Sequence, residues 1–296
     1  MYYFLSLIIG VIISAMISVN GDLSLVYGEY YAAVIIHVVG VSLAFLICVV
    51  KKEKIPKNLN LPVWAYLGGA IGVLSTFFNN FSFGRISMTN IVALGLLGQS
   101  VTSVVIDTRG WFGMTKHPIK RTALVGFLLA FCGIGIMLDS TITNAMIAVI
   151  ISFGAGVTVV LSRTFNSKLS QKTSAITASF INHLVGLPIC ATLAIINQSP
   201  SVTHSGAIHP WVYCGGMLGV FTVCLFNITV PKIPAFHLTM LSFIGQFLTG
   251  IVLDWFSGKA FSGASFWGGM VIATGLFSSM IVENLAERKR EKERTY

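Results

Sequence analysis

Long apolar stretches, broken by short polar or charged segments, run along almost the whole chain. A helix that crosses the hydrocarbon core of a bilayer needs about 20 mostly apolar residues. Because lipid offers no water to exposed backbone groups, such stretches are expected to be helices. The pattern predicts an all-α integral membrane protein with ten transmembrane helices, at residues 2–22, 30–50, 63–83, 87–107, 121–139, 143–167, 173–196, 209–229, 235–255 and 264–284.

The composition fits this environment, because 55% of the 296 residues are hydrophobic and 10% are charged, against about 25% charged in soluble domains. The first stretch lacks the features of a cleaved signal, so we expect a retained helix. With the N-terminus in the cytoplasm, every lysine and arginine except Arg85 and Lys259 falls in a cytoplasmic segment; Arg163 is assigned to one of these loops. This positive-inside bias predicts cytoplasmic termini, and it accounts for the net charge of +9 without a nucleic-acid partner.

The motif W-x-Y-x-G-G-x-x-G-V occurs twice, at Trp64–Val73 and Trp211–Val220, 147 residues apart. Other residues recur at an offset of 146 or 147, and two glycines of the fifth span recur in the tenth. The pairs are Asn20/Asn166, His37/His183, Asn80/Asn227, Arg85/Lys232, Gln99/Gln246, Asp107/Asp254, Gly126/Gly268 and Gly133/Gly275. The sequence predicts an internal duplication, with a five-helix repeat at 1–139 and a second at 140–296 that ends in a short basic cytoplasmic tail.

Each predicted repeat has an odd number of spans, so the second copy must enter the membrane inverted relative to the first. Inverted repeats are typical of secondary transporters, in which the substrate site lies near the bilayer midplane between the repeats. Because both repeats have nearly the same parts, we expect inward-open and outward-open states of similar energy.

The chain resembles the YdcZ-type family of the drug/metabolite transporter superfamily. The resemblance is carried by the repeated motif, by the Gly-Gln pair of the fourth span and by the D-x-x-G-x-x-G pattern after that pair. The last element is complete at Asp107, Gly110 and Gly113, but it degrades after Asp254. The chain resembles small multidrug exporters more distantly. The resemblance implies a fused pair of five-span units in a bacterial inner membrane, working as a monomer and exporting a small solute.

Neutral polar residues inside the spans are the candidates for substrate binding, because no Asp or Glu lies at mid-depth. Gln99 and Gln246 either contact substrate or join helices by hydrogen bonds. His37 and His183 either relay a proton or bond to a neighbouring carbonyl or to Asn182. The asparagines either cap helices or line the site; they are Asn20, Asn166, Asn80 and Asn227.

A second group of residues is assigned gating or structural roles. Asp107 and Asp254 end the fourth and ninth spans and are assigned roles as caps, ion-pair partners or gates. Arg85 and Lys232 are equivalent to each other across the duplication. Gly126, Gly133, Gly268 and Gly275 form stripes on the fifth and tenth spans that are expected to clamp the repeats together.

These features favour a secondary active transporter of a small organic solute, and the family resemblance implies export as its direction. A passive channel or facilitator remains open as an alternative, and so does a non-transporting scaffold or sensor. We expect no cofactor, no metal site and no enzymatic activity, because no nucleotide, metal or nucleophile–base motif is found. The expected partners are the lipid bilayer and a small-molecule substrate.

Overall fold

A computed structural model of the chain describes residues 1–53, 60–116, 145–197 and 208–256, together with helical fragments within 126–136 and 263–282. All the secondary-structure elements assigned in this described part are helical. They are α1 (Tyr2–Tyr27), α2 (Glu29–Val50), α3 (Gly68–Ser82), α4 (Met88–Arg109), α5 (Met146–Ser170), α6 (Ala175–Asn197), α7 (Gly215–Thr229), α8 (Ala235–Phe256) and the short α9 (Phe266–Gly275). Short 3-10 turns at Val63–Tyr66 and Pro210–Cys214 precede α3 and α7.

Seven segments in the described residues are long and apolar enough to cross a membrane. They coincide with the predicted first, second, fourth and sixth to ninth spans. The predicted third span is divided into a 3-10 turn and the 15-residue α3. Most of the predicted span at 121–139 falls outside the described residues, and the predicted span at 264–284 is described only as helical fragments. The all-helical, multi-span prediction is confirmed, and the count of ten remains a prediction.

The outer surface of the bundle is apolar and its interior is polar. Phe45 and Ile196 are among many large apolar side chains that are exposed, whereas His37, Asn166 and Gln246 are buried. Soluble monomers rarely expose contiguous apolar surface on this scale. The arrangement suits a protein surrounded by lipid whose polar groups face one another.

Glycine and serine residues set the ends of the first helices. Gly28 alone joins α1 to α2, and its φ of 79° is in the left-handed region that favours glycine. The Ser87 side chain accepts a hydrogen bond from the Asn90 amide at 3.2 Å and caps the start of α4. Gly110 ends α4 in a left-handed conformation, with its amide donating to the Ile106 carbonyl at 2.8 Å.

Small residues let helices of the two halves of the chain approach backbone to backbone. Where α1 crosses α8, a Cβ atom at Gly10 would overlap the carbonyl oxygen of Ser242, and one at Gly245 would overlap that of Leu7. The equivalent contacts recur where α5 crosses α4: Gly156 lies against Gly95, and Gly98 against Phe153. The duplicated glycines therefore form the contacts between halves, as expected for close helix packing in a membrane.

The crossing of α2 and α6 is reciprocal in the same way. His37 packs against Gly186, and His183 packs against Gly40. Because residue numbers rise along one helix as they fall along the other, these two helices run antiparallel. The motif His-x-x-Gly thus meets its own duplicate at this crossing.

We predict that Gly245→Ala lowers the free energy of unfolding by about 1–3 kcal/mol, because the added methyl group forces α1 and α8 apart. Gly250→Ala in the same helix is the matched control, since no described atom lies within 4 Å of a Cβ atom there. The control should be neutral or stabilising by up to about 1 kcal/mol. Unfolding of both variants in mixed micelles by titration with SDS measures the difference, and equal effects would contradict the packing.

Candidate functional site

A cavity of about 130 Å³ lies between α1, α2, α3, α5, α6 and α7. Each of its lining residues has an equivalent 146 or 147 positions away that also lines the cavity. The pairs are Ile13/Val159, Met16/Ser162, Ile17/Arg163, Asn20/Asn166, Ile36/Asn182, His37/His183, Gly72/Gly219, Ser75/Thr222, Thr76/Val223, Asn79/Phe226 and Asn80/Asn227. The cavity, called the central cavity below, therefore lies at the seam between the two halves of the chain.

Six of the eight residues predicted for substrate binding line the central cavity: Asn20, Asn166, His37, His183, Asn80 and Asn227. They come from six different helices, each of which carries one of them. The duplication predicts this convergence, because equivalent residues on equivalent helices approach the same seam.

Gln99 and Gln246 lie elsewhere, in a neighbouring cavity of about 30 Å³, which is room for about one water molecule. Both side chains are buried, and Gln99 Oε1 has no hydrogen-bond partner in the described part of the chain. Asn79 borders both cavities. The structure thus separates the glutamines from the asparagine and histidine set with which the sequence analysis grouped them.

The two histidines meet at the α2–α6 crossing, with ring centroids 5.8 Å apart. His37 Nδ1 donates to the Ala33 carbonyl at 2.8 Å, and His183 Nδ1 donates to the Ser179 carbonyl at 2.8 Å. A carbonyl oxygen only accepts, so Nδ1 carries a hydrogen in each ring. The neighbouring carbonyl is therefore the observed partner, whereas Asn182 bonds to another side chain.

The asparagines leave part of their hydrogen-bonding capacity unused. Asn166 Nδ2 donates to Asn182 Oδ1 at 2.7 Å, and Asn227 Nδ2 donates to the Ala175 carbonyl at 3.0 Å. In contrast, Asn20 Oδ1, Asn80 Nδ2 and Asn227 Oδ1 have no partner among the described residues. Buried polar atoms are rarely left unpaired, so these three unsatisfied atoms mark the asparagines beside the central cavity as candidates for a functional role.

Arg163 was wrongly assigned to a cytoplasmic loop. It lies inside α5, is 3% exposed and lines the central cavity. Its Nη2 donates to Ser103 Oγ at 3.0 Å, to the Ala235 carbonyl at 3.3 Å and to Thr239 Oγ1 at 2.6 Å. Two signals contradicted that assignment: the predicted sixth span, 143–167, already includes residue 163, and the equivalent residue, Ile17, lies within the first predicted span.

Asp107 caps a helix of the other half of the chain. Its Oδ1 accepts from the Ala235 amide at 3.3 Å and its Oδ2 from the Phe236 amide at 3.0 Å. These are the first amides of α8, where a negative charge is favoured. The side chain of Asp254 lies outside the described residues.

The other residues predicted for gating or structure lie away from the central cavity. Arg85 forms an exposed ion pair with Glu29, with Nη1 and Oε1 3.1 Å apart. Lys232 is exposed and lines a cavity of about 320 Å³ beside Asp107. In the fragments of the fifth and tenth predicted spans, Gly133 packs against Gly268, and Leu129 packs against Gly275. Gly126 is buried in a helical fragment.

The family model DMT_YdcZ, described as "Putative inner membrane exporter, YdcZ", matches residues 1–136 and again residues 147–280. The chain belongs to this family. As a DMT_YdcZ member it carries two copies of the family unit, as the repeat predicted. It is a multi-pass membrane protein of an exporter family, which is not a class of enzyme.

A solved structure described only as "Crystal structure of protein" matches over 97% of both chains, with a TM-score of 0.62 and 12% sequence identity. At that identity the likeness shows the fold alone. No curated protein matches the chain. The family and the fold are therefore assigned without a substrate.

We predict that Asp107→Ala lowers the free energy of unfolding by about 0.5–2 kcal/mol, because the first amides of α8 lose their acceptor. Asp107→Asn keeps one acceptor oxygen and should lose less. Thr108→Ala serves as a control, since its hydroxyl group donates to the Val104 carbonyl within its own helix at 2.7 Å. SDS-induced unfolding of the three variants measures the order; equal losses in Asp107→Ala and Asp107→Asn would exclude capping.

Proposed function

We propose that this protein is a secondary transporter that exports a small organic solute through the central cavity by alternating access. Two inverted five-helix repeats form the moving parts, and one chain suffices because it supplies both. The observation that carries this proposal is the pairing of all the residues lining the cavity across the duplication. A site built equally from two equivalent halves is the arrangement expected of inverted-repeat carriers.

The directions of the described helices agree with inversion. The second and seventh spans, α2 and α6, run antiparallel at the histidine crossing. The first and ninth spans, α1 and α8, run parallel, because Tyr3 contacts His237 and Ser14 contacts Gln246 further along both helices. These are the directions required if spans alternate through the membrane and the second repeat begins on the opposite side.

Contacts at the helix ends support the same topology. With a cytoplasmic N-terminus, the ion pair of Glu29 and Arg85 joins two external segments. The hydrogen bond from the Ala235 amide to Asp107 then joins the end of the fourth span to the start of the ninth at the cytoplasmic side. Both contacts therefore agree with the alternating directions of the spans, whichever side of the membrane is the cytoplasm.

Alternating access requires helices that open and close the two ends of the cavity without carrying the solute themselves. Helices α4 and α8 are suited to this role, because none of their described residues lines the central cavity. They meet through Ser103 Oγ and Thr239 Oγ1, which are 2.9 Å apart and both bonded to Arg163. A passive facilitator would not need this contact to separate.

The predicted topology can be tested with single cysteines placed in a variant without native cysteines. Each cysteine is labelled with a membrane-impermeant maleimide. His209→Cys should react in intact spheroplasts, whereas Lys51→Cys and Lys172→Cys should react only after permeabilisation. All three positions are exposed, so an unreactive site reports its side of the membrane. Labelling of Lys51→Cys and Lys172→Cys from opposite sides would refute the inverted duplication.

We predict that a disulfide between Ser103→Cys and Thr239→Cys stops transport. The solute is the metabolite that most raises the melting temperature of the purified protein in a screen, and its flux is measured in liposomes. Oxidation should abolish flux and reduction should restore it, because a carrier must separate α4 from α8 in every cycle. The reduced protein is its own control, and flux that persists after complete crosslinking would favour a passive facilitator.

A further inference from the structure

The paired lining of the central cavity is symmetric in position but not in chemistry. Five of its pairs join a polar or charged residue to an apolar one: Ser162/Met16, Arg163/Ile17, Asn182/Ile36, Thr76/Val223 and Asn79/Phe226. In every pair the polar member belongs to α3, α5 or α6, and the apolar member belongs to α1, α2 or α7. The lining from α3, α5 and α6, called the polar wall below, is therefore more polar than the lining from α1, α2 and α7, called the apolar wall, although both walls carry the paired asparagines and histidines.

The polar wall is a continuous surface on α3, α5 and the start of α6. Ser162 Oγ donates to the Gly68 carbonyl at 2.8 Å and so joins α5 to α3. Asn166 Nδ2 donates to Asn182 Oδ1 at 2.7 Å and joins α5 to α6. These bonds hold the polar side chains of this wall in place before any solute arrives.

The apolar side chains of the apolar wall are Met16, Ile17, Ile36, Val223 and Phe226, which line the cavity beside Asn20, His37, Thr222 and Asn227 of the same helices. Ile17 and Phe226 belong to the main hydrophobic cluster of the bundle. The Phe226 ring lies beside Arg163, with its centroid 5.3 Å from the guanidinium carbon. A solute in the cavity would therefore find an apolar surface next to the charge of Arg163.

Arg163 carries the one permanent charge among the described residues that line the cavity, and none of those residues is acidic. Its Nη2 has three acceptors, but its Nη1 has no partner in the described part of the chain. Asp107 interacts with Arg163 electrostatically, but its carboxylate oxygens accept amides of α8. The guanidinium group thus has a donor that no described group satisfies, and charge-assisted bonds to carboxylates are among the strongest available.

The size of the cavity limits the solute that fits in this conformation. Its volume of about 130 Å³ is close to the roughly 150 Å³ that accommodates a benzene molecule in an apolar protein cavity. A solute of about six to nine non-hydrogen atoms is therefore the appropriate scale.

We propose that the central cavity binds a small amphipathic organic anion, with its carboxylate on Arg163 and its apolar body against the wall of Met16, Ile36 and Phe226. This inference names the substrate class of the proposed transporter and rests on that function for the role of the cavity. A cation of the same size would meet Arg163 with no acidic residue of the cavity lining to offset the repulsion. A neutral solute would leave the guanidinium donor unused.

The test compares binding of benzoate, benzyl alcohol and benzylammonium to the purified full-length protein by titration calorimetry. The three probes share an aromatic ring and differ in charge. Benzoate should bind at least about tenfold more tightly than either of the others. Arg163→Gln should remove this preference, while Arg163→Lys should retain part of it because the charge remains.

Two controls separate recognition from a loss of folding. Arg109→Gln makes the same chemical change at an exposed site on α4 and should leave all three affinities unchanged. Met16→Ser, which introduces the residue found at the equivalent position 162, should weaken binding of all three probes to a similar degree. Every variant is required to elute as a single species and to melt cooperatively without ligand.

The inference is overturned if benzyl alcohol or benzylammonium binds as well as benzoate, if benzoate shows no saturable binding, or if its preference survives in folded Arg163→Gln. Flux of benzoate in liposomes distinguishes this failure from failure of the proposed function. Binding that depends on Arg163 without flux would uphold the site and refute transport. Flux of a cation through the cavity would uphold transport and refute the anion site.

Discussion

The fold depends on how closely the two halves of the chain can approach each other. A bilayer provides little hydrophobic driving force between helices, so their association relies on close packing and on hydrogen bonds between them. At the α1–α8 and α5–α4 crossings, Gly10 and Gly156 lie against carbonyl groups of the other half, where a methyl group would overlap. These contacts set the distance between halves, and with it the size of the cavity along their seam.

Duplication then determines where polar groups gather. A polar side chain placed on one helix is repeated on the equivalent helix, and the seam brings both copies together. His37 and His183 meet at their own crossing, and the paired asparagines converge on the same cavity. Burial of so many polar side chains is tolerated because they bond to backbone carbonyls or to one another, and because the cavity can admit polar ligands or water to the rest.

Much of this could be predicted from the sequence. The length of the apolar stretches predicts the helices, and the offset between the repeats predicts which equivalent residues come together. The offset also grouped Gln99 and Gln246 with the site, but periodicity along a chain does not reveal which face of a helix borders which cavity. The two glutamines border a smaller cavity, and Asn79 lines both that cavity and the central cavity. Arg163 was misplaced because a basic residue near the end of a span is ordinarily a loop signal. Its environment depends on acceptors from α4 and α8, which are distant in sequence.

The asymmetry around Arg163 bears on how the inward-open and outward-open states could differ in energy, although the two repeats are nearly equivalent. Its partners Ser103 and Thr239 have Gly250 and Val92 as their equivalents, and Arg163 itself has Ile17. One end of the α4–α8 crossing is therefore joined by a buried charged network, and the equivalent positions cannot form it. A buried charge is costly unless it is bonded, so separating α4 from α8 at this end requires new partners for the guanidinium group. An anion in the adjacent cavity would be such a partner, and in the proposed transport cycle it would couple occupancy of the site to the opening of this contact.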